Sequence, residues 1–464
     1  MRLNLDTILS VTGGTLIAPI TGYNSYIDGV SIDSRAITAN SLFVCISGNV
    51  TDGHNFVLQA VKKGASAILA SHNPFEGEVP VPVILVPDTL NGLKVLAQAA
   101  RKMTKAKVIG ITGTAGKTTV KELVAQLLTS KGKVAKNYLN FNTQIGMSFS
   151  ILDAQGDEDF WVMEVGISNP QDMEELGTIL TPDITLIINA GPGHLSGLNK
   201  QGVAYHKAQL LRYMKDEGVG IVNLDYPELV KEVKEIRSDS LFFSVLDNQC
   251  RYYSKYTGIV GNGYGTYRLW LDNDIVDVTS PFLGNFGMES VLASTTIAHK
   301  LGVSNDFIKQ QLFQAVLPQN RFSCFTHGKW LCIDDSYNAN PLSMNAVIES
   351  TYTFSDKKKP LVYVLGEMLE LGDLSEAEHE KIGRKLAQTG ASIIFWKGGM
   401  IDNVLIGLKG GGFKGILERI STEQEFQSLF LEHRLDEGII VFKGSRSNKM
   451  EVFVDAFMKL VGTK

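Results

Sequence analysis

The sequence predicts an α/β protein of three units whose central unit carries a phosphate-binding loop. Three observations predict it. Short apolar runs alternate with helically spaced stretches along most of the chain, the pattern of largely parallel sheets covered by helices. The run Gly110-Ile-Thr-Gly-Thr-Ala-Gly-Lys-Thr-Thr-Val120 follows one apolar stretch and opens a helical one. The chain has 464 residues, beyond the size of one ordinary core; about 100–200 residues per domain gives roughly two to four domains.

Residues 1–105 read as a small α/β unit. MRLNLDTILSVTGG fits an amphipathic first helix better than a secretion signal. Leu42–Ile46, Ala67–Ala70 and Val81–Val86 are strand candidates, with Pro82 suited to an edge or a strand start. Phe56–Lys63 and Leu90–Met103 have helical spacing, and Gly64 ends the first of them. Aromatic residues such as Tyr23, Tyr26 and Phe43 line a pocket or fill this small core. The polar stretch 102–107 marks a boundary.

Residues 106–319 form the second unit. Val108–Ile111 leads into the glycine loop, and Thr118–Leu128 is a helix with Val120, Leu123, Val124, Leu127 and Leu128 on one face. Phe160–Met163, Ile184–Ile188 and Val219–Asn223 are buried-strand candidates. Residues 250–280 alternate aromatic, glycine and polar positions, which predicts an antiparallel excursion. Residues 320–464 form the third unit, with strand candidates at Trp330–Asp334, Leu361–Leu365, Ala391–Phe395 and Ile439–Phe442.

Composition narrows the function. The chain is 44% hydrophobic and 20% charged, with a formal net charge of −5. That balance gives no electrostatic reason to bind nucleic acid or an anionic membrane. Cys45, Cys250, Cys324 and Cys332 form neither a CxxC pair nor a zinc-like cluster. No stretch approaches 18 uncharged apolar residues, so no transmembrane segment is expected and cytoplasm is the expected location.

The glycine loop carries the chemistry. Gly110, Gly113 and Gly116 let the backbone turn tightly against a ligand, and the helix from about Lys117 aims unpaired N–H groups at an anion. Lys117 reaches terminal phosphates and Thr118 offers a hydroxyl to Mg²⁺. The Walker pattern has a glycine where this chain has Ile111, but the flanking strand and helix favour a phosphate loop over a plain turn. Glu164 ends a strand, a natural place for a metal or water ligand. His194, on a glycine-rich loop, suits a ligand or metal role. Lys207, in GVAYHKAQLL, reads from its own stretch as a surface lysine. Asn140, Asn142 and Thr143 grip substrate or cap a turn. Asp334 and Asp335 end a strand and point to opposite faces, so only one faces a ligand. Arg321 is placed to bind phosphate across a cleft; Lys443 and Arg446 form a phosphate or carboxylate clamp or a solvated basic turn.

GITGTAGKTT, NFNTQIG, MEVG, NAGPGHLSG, IDDSYNANP, VLGEMLELG and VFKGSRS occur in this order, with SIDSR and DGHNF upstream. Over nearly the whole chain this resembles the Mur ligase family of peptidoglycan synthesis. The resemblance implies a three-domain architecture: an N-terminal UDP-substrate-binding domain, a central P-loop ATPase domain and a C-terminal Rossmann-like domain. It implies that Asp33, Ser34, Arg35, Asp52, Gly53 and His54 serve the UDP substrate. Gly113, Thr114, Ala115, Gly116, Lys117, Thr118 and Thr119 would hold ATP. Thr118, Glu164, His194 and Lys207 would hold Mg²⁺, and Lys207 matches a family lysine that is often carbamylated, which overrules the surface reading. Asn142 and Thr143 would lie near the acyl substrate, Arg321 and Asp335 would reach ATP, and Asn338, Asn340, Lys443 and Arg446 would bind substrate. IDDSYNANP with VLGEMLELG implies the activity that joins D-Ala-D-Ala to UDP-MurNAc-tripeptide, for which a monomer suffices. The alternatives are a sibling adding a single amino acid, a folylpolyglutamate synthase, and an ATP-gated binding protein derived from such an enzyme.

The chain departs from the family in LGNFGMES, where Phe286, Gly287 and Ser290 replace an expected His, Asn and Asn, leaving Asn285 as a substitute adenine contact. Asn320 stands where a glycine usually precedes the family arginine, and Gly146-Met147-Ser148 replaces a common GxP.

Overall fold

The computed structural model describes residues 2–19, 22–48, 51–138, 141–191, 201–260, 264–316, 318–354 and 359–462, without the side chains of 285, 286, 353 and 354. Asn140 and His194, and the side chains of Asn285 and Phe286, therefore lie outside the described residues.

The first sheet has the order Thr15–Ile17, Val83–Leu85, Ala65–Ala70, Ser41–Val44, Gly29–Ser31, with only the first pair antiparallel. Pro82 stands just before its strand, where no ladder N–H is needed, and its carbonyl accepts from Ile68 N at 2.9 Å. Asp88 caps the helix Thr89–Met103 by accepting from Leu90 N and Asn91 N. The apolar face of that helix, including Leu93, Leu96 and Ala100, belongs to one buried cluster with Met147, Ile151 and Leu176 of the next unit. Arg101, 3% exposed, donates to Leu180 O and Thr181 O, both at 2.7 Å, and to Asp183 Oδ2 at 2.9 Å. The polar stretch 102–107 thus separates two sheets that share a continuous apolar seam.

The second sheet is wholly parallel, in the order Leu241–Phe243, Val219–Asn223, Ile184–Ile187, Lys107–Thr112, Phe160–Glu164, Val134–Lys136. Its two edge strands are only three residues each; the central ones are covered on both faces and read as continuous apolar runs. Lys107–Thr112 lies between Ile184–Ile187 and Phe160–Glu164, so the loop at its C-terminal end is flanked by both neighbouring strand ends. The expected antiparallel excursion is the meander Tyr252–Val260, Tyr264–Leu271, Asp274–Ser280. It shares a core with the helix Gly284–Lys300.

The third sheet has the order Ser323–His327, Trp330–Asp335, Gly438–Lys443, Leu361–Gly366, Ile393–Lys397, Ile416–Arg419, antiparallel only in its first pair. The two outermost strands add to the four read from sequence. The turn that enters this sheet is unusual: Asn320 has φ +60° and Phe322 φ +55°. Asparagine tolerates the left-handed region better than other non-glycine residues, which accounts for its place where the family uses glycine. No described helix is long and apolar enough to cross a membrane.

Candidate active site

The strand Lys107–Thr112 ends in Gly113, and the loop turns through Gly116, whose φ of +79° starts the helix Lys117–Leu128. A side chain at Gly113 would press on Asn189 Oδ1 and Ile188 Cβ, both at 3.2 Å. Asn189, fully buried, accepts from Thr114 N at 2.8 Å and Ala115 N at 3.0 Å, and so shapes the loop from outside. Lys117 Nζ donates to Gly113 O at 2.9 Å, folding across the loop. Burial pushes its amine below the ordinary range and Arg321 pushes the same way, while Glu164 opposes them.

Glu164 ends the adjacent strand with its carboxylate over the helix start. Thr118 Oγ1 donates to Glu164 Oε2 at 2.6 Å and Asn142 Nδ2 to Oε1 at 2.8 Å. The backbone of Glu164 is clamped by Asn137, whose Oδ1 accepts from Glu164 N at 2.9 Å and whose Nδ2 donates to Glu164 O at 3.0 Å. Lys121, wholly buried, donates to Asn137 O at 2.7 Å. Lys207 is 2% exposed, which overturns the surface reading of its own stretch. Burial drives its amine well below the usual range, Lys117 adds to that, and Glu164 opposes it. In the NFNTQIG loop the turn-capping reading holds for Thr143, while Asn142 faces Glu164. Thr143 caps the helix Gln144–Asp153 by accepting from Gly146 N at 3.4 Å.

The third unit closes the other wall. Arg321 lies over the Tyr337 ring with its guanidinium carbon 4.0 Å from the centroid, and Arg446 lies at 5.7 Å from the same ring. Lys443, in register with Asp335 on the neighbouring strand, pairs with its carboxylate and donates to Asn338 O at 2.9 Å. Asp335 also accepts from Phe322 N at 3.0 Å, and so helps hold the strained turn. Burial pushes the Asp335 carboxyl up, while Lys443 and Arg321 pull it down. Asp334 does not line the cavity, as expected of an acid on the opposite face. Asn340 Nδ2 donates to Thr114 O at 3.2 Å, so this unit touches the phosphate loop directly. Between these walls lies a cavity of about 510 Å³, lined by Thr114–Thr119, Asn142, Thr143, Glu164, Arg321, Asp335, Asn338, Asn340, Lys443 and Arg446. Phosphate-loop donors including Lys117, the carboxylates of Glu164 and Asp335, and the basic side chains of Arg321, Lys443 and Arg446 from the third unit face one space, an arrangement suited to a polyanionic nucleotide and a carboxylate acceptor.

Comparison with known proteins agrees with this geometry. The Mur ligase middle domain matches residues 111–298, the Mur ligase family catalytic domain 26–102, and the Mur ligase glutamate ligase domain 320–446. A UDP-N-acetylmuramoyl-tripeptide–D-alanyl-D-alanine ligase of Buchnera aphidicola subsp. Baizongia pistaciae is 30% identical over 466 residues, covering 99% of each chain. The chain belongs to the Mur ligase family. The crystal structure of MurF from Acinetobacter baumannii superposes on this Mur ligase with a TM-score of 0.88 at 25% identity and 99% coverage of both chains. MurF ligase from Thermotoga maritima, solved in complex with ADP, gives a TM-score of 0.83 at 26% identity, covering 94% of this chain and 98% of that one.

In this Mur ligase the residues expected to serve the UDP substrate do not line the cavity. Arg35 pairs with Asp33 at 2.8 Å on the surface, and Ser34 Oγ donates to Gln59 Oε1 at 2.7 Å. Asp52, His54 and Ser71 resemble a nucleophilic triad, with His54 Nδ1 2.6 Å from Asp52 Oδ1 and Nε2 3.2 Å from Ser71 Oγ. Ser71 N also donates to Nε2 at 3.0 Å, so the imidazole lone pair is already committed and the group is a clamp. A Cβ at Gly53 would meet Ile46 N at 2.7 Å, which accounts for glycine there. Asn137, Lys121, Asn189 and Tyr337 were not singled out from sequence. Asn189 and Tyr337 lie inside quoted motifs, whereas nothing in KTTVKE marks Lys121 as buried.

Proposed function

We propose that this chain is the ATP-dependent ligase that joins D-alanyl-D-alanine to the carboxylate of UDP-MurNAc-tripeptide, releasing ADP and phosphate and forming UDP-MurNAc-pentapeptide. The observation that carries the reading is the single cavity shared by the phosphate loop, Glu164 and the basic wall of Arg321, Lys443 and Arg446. Residues 1–105 are assigned to the UDP substrate, 106–319 to ATP and 320–464 to the amine substrate. One chain lines the whole cavity, so a monomer suffices. The reaction is assigned to the cytoplasm, where ATP is supplied.

The tripeptide carboxylate attacks the γ-phosphorus of ATP and ADP leaves, giving an acyl phosphate. The free amine of D-Ala-D-Ala adds to the acyl carbon, and the tetrahedral species expels phosphate. Charge accumulates on the transferring phosphoryl group, where Lys117, the loop N–H groups and Arg321 offset it. Asn338 and Asn340, fixed beside the loop, align the amine component, and Arg446 suits its terminal carboxylate. Closure of the third unit onto the phosphate loop would exclude the water that hydrolyses an acyl phosphate.

Mg²⁺ serves this family by neutralising phosphate charge. Thr118 and Glu164 fit the ion with hard oxygen donors. Among the described residues no trio of His, Cys, Asp or Glu could complete the site, and a lysine amine is a poor magnesium ligand. Lys207, buried with its amine held well below the usual range, is suited to uptake of CO₂. Its neutral amine adds to carbon and loses a proton, giving a carbamate whose oxygens match Mg²⁺. We assign that modification to Lys207. His194, in the NAGPGHLSG motif, is retained as a fourth ligand by resemblance alone.

A substrate panel tests the function. The purified chain is given ATP, Mg²⁺ and UDP-MurNAc-tripeptide with D-Ala-D-Ala or single amino acids, and phosphate release and product mass are followed. Pentapeptide is expected only with D-Ala-D-Ala. Product with a single amino acid instead would point to a sibling ligase, and no turnover in any mixture would favour a binding protein.

A further inference from the structure

Glu289 sits in the first turns of the helix Gly284–Lys300, within the LGNFGMES stretch where this chain departs from its family. The residue keeps part of its surface exposed, yet its carboxylate is enclosed by neutral donors. Oε1 accepts from Asn223 Nδ2 at 2.9 Å and Tyr226 OH at 3.1 Å, and Oε2 accepts from Asn189 Nδ2 at 2.8 Å. None of these partners is a cation. Burial pushes the carboxyl up to about 7, Asp225 adds to the rise, and the three donors pull the other way. A carboxylate placed so costs desolvation that neutral donors only partly offset.

Its effect runs through Asn189. A carboxylate accepts and does not donate, so the Nδ2 end of Asn189 must face Glu289, and Oδ1 must face the N–H groups of Thr114 and Ala115. The reverse orientation would set an NH₂ group against two backbone N–H donors. Nδ2 also donates to Ala115 O at 3.2 Å, so the amide grips both edges of the same peptide turn. With Thr114 and Ala115 held in this way, the N–H groups at the helix start, from Lys117 to Thr119, are left for phosphate.

We propose that Glu289 is a positioning residue for ATP, setting the curvature of the Gly113–Gly116 loop by fixing the orientation of the Asn189 amide. The proposal rests on the ATP-binding reading of the cavity. It concerns nucleotide affinity and leaves the amine site alone.

Reversing the polarity of the pair tests it. Glu289→Gln, with its oxygen still serving Asn223 and Tyr226, turns an NH₂ toward the NH₂ of Asn189. Asn189→Asp alone sets a carboxylate against a carboxylate. Combined, the two changes restore one donor and one acceptor, reversed, and the new carboxylate still accepts from Thr114 N and Ala115 N, at the loss of the 3.2 Å bond to Ala115 O. ATP affinity of the full chain is measured by calorimetry, alongside the KM for D-Ala-D-Ala. Each single variant is expected to bind ATP about tenfold more weakly, and the double variant to return to within about threefold of the parent. The KM for D-Ala-D-Ala should stay within about twofold throughout. Parent-like affinity in Glu289→Gln, or a double variant no better than the weaker single, overturns the proposal. If Asn189→Asp alone does not fold, recovery of folding and ATP binding in the double variant supports the coupling, and failure to recover overturns it. A parent chain that binds ATP but makes no pentapeptide sinks the proposed ligase activity and leaves this inference standing.

Discussion

Thr118 Oγ1 and Glu164 Oε2 lie 2.6 Å apart, joining the first turn of the phosphate-loop helix to the end of the neighbouring strand. The two residues are 46 positions apart in sequence and meet because the strand leading into the phosphate loop and the strand ending in Glu164 are adjacent and parallel, with Glu164 in register with Ile111. Their shared position makes a hard-oxygen pair beside Lys117. Glu164→Gln preserves shape and removes charge, so kcat should fall by about 10²-fold or more. The Mg²⁺ concentration needed for half-maximal activity should rise in the same variant. Unchanged Mg²⁺ dependence would remove Glu164 from the metal site.

Lys207 separates a structural amine from a carbamate. Lys207→Ala should lose about 10²-fold or more in kcat and recover part of it with added acetate, which supplies a carboxylate to the space left. Lys207→Arg cannot take up CO₂ and fills that space, so it should stay inactive with or without acetate. Parent-like activity in Lys207→Arg would rule out the modification as a requirement. Intact mass measured in bicarbonate provides a second readout.

The phosphate loop was legible because strand, glycines, lysine and helix are contiguous, and each element has its own local signal. Strand alternation alone puts Asp334 and Asp335 on opposite faces, and of the two only Asp335 reaches the cavity. Burial of Lys207 and Lys121 was not legible from their own stretches, because it depends on elements far away in sequence. The Asn189–Glu289 contact spans 100 positions and has no local pattern. Ser323–His327 and Ile416–Arg419 were missed because edge strands are short and covered on fewer sides, so their apolar runs are broken.

Asp183 ties the first two units together through Arg101 and also meets Lys215 at 2.9 Å. Burial works to raise its carboxyl, but Lys215, the Val108 N–H and Arg101 outweigh that and hold it below the ordinary range. A lowered folded-state value means that the contribution is fully present above the unfolded carboxylate range and is lost as pH falls through the folded value. Asp183→Asn leaves Arg101 buried with only carbonyl partners and should cost about 3 kcal/mol near pH 7. The gap between parent and variant, read from urea midpoints, should narrow as pH falls below the unfolded carboxylate range. A gap independent of pH would assign the effect to packing.

Asn320 combines φ +60° with a side-chain hydrogen bond from Nδ2 to Ser336 Oγ at 2.9 Å. Asn320→Ala loses both the tolerance and the bond, and should cost about 1–3 kcal/mol. Asn320→Gly relieves the backbone while losing the bond, and should lie within about 1 kcal/mol of the parent. Thermal midpoints of the three chains check the order. Equal loss in both variants would show that the hydrogen bond, rather than the backbone, governs the turn.

Lys443 and Arg446 come from one motif and should behave differently. Lys443 is 1% exposed and pairs with Asp335, a buried acid that also supports the Phe322 turn. Lys443→Ala leaves that acid without its closest cation and should cost about 3–5 kcal/mol of stability. Arg446 has a side chain 59% exposed, bonded to Glu451 at 2.8 Å, and faces the cavity rim. Arg446→Ala should leave the thermal midpoint nearly unchanged, because an exposed ion pair contributes little. Its effect should appear in substrate: the KM for D-Ala-D-Ala rises about tenfold, the scale of one charged hydrogen-bond pair, while the KM for ATP stays near the parent's. A rise confined to the KM for ATP would move Arg446 to the nucleotide and leave the amine carboxylate to another group.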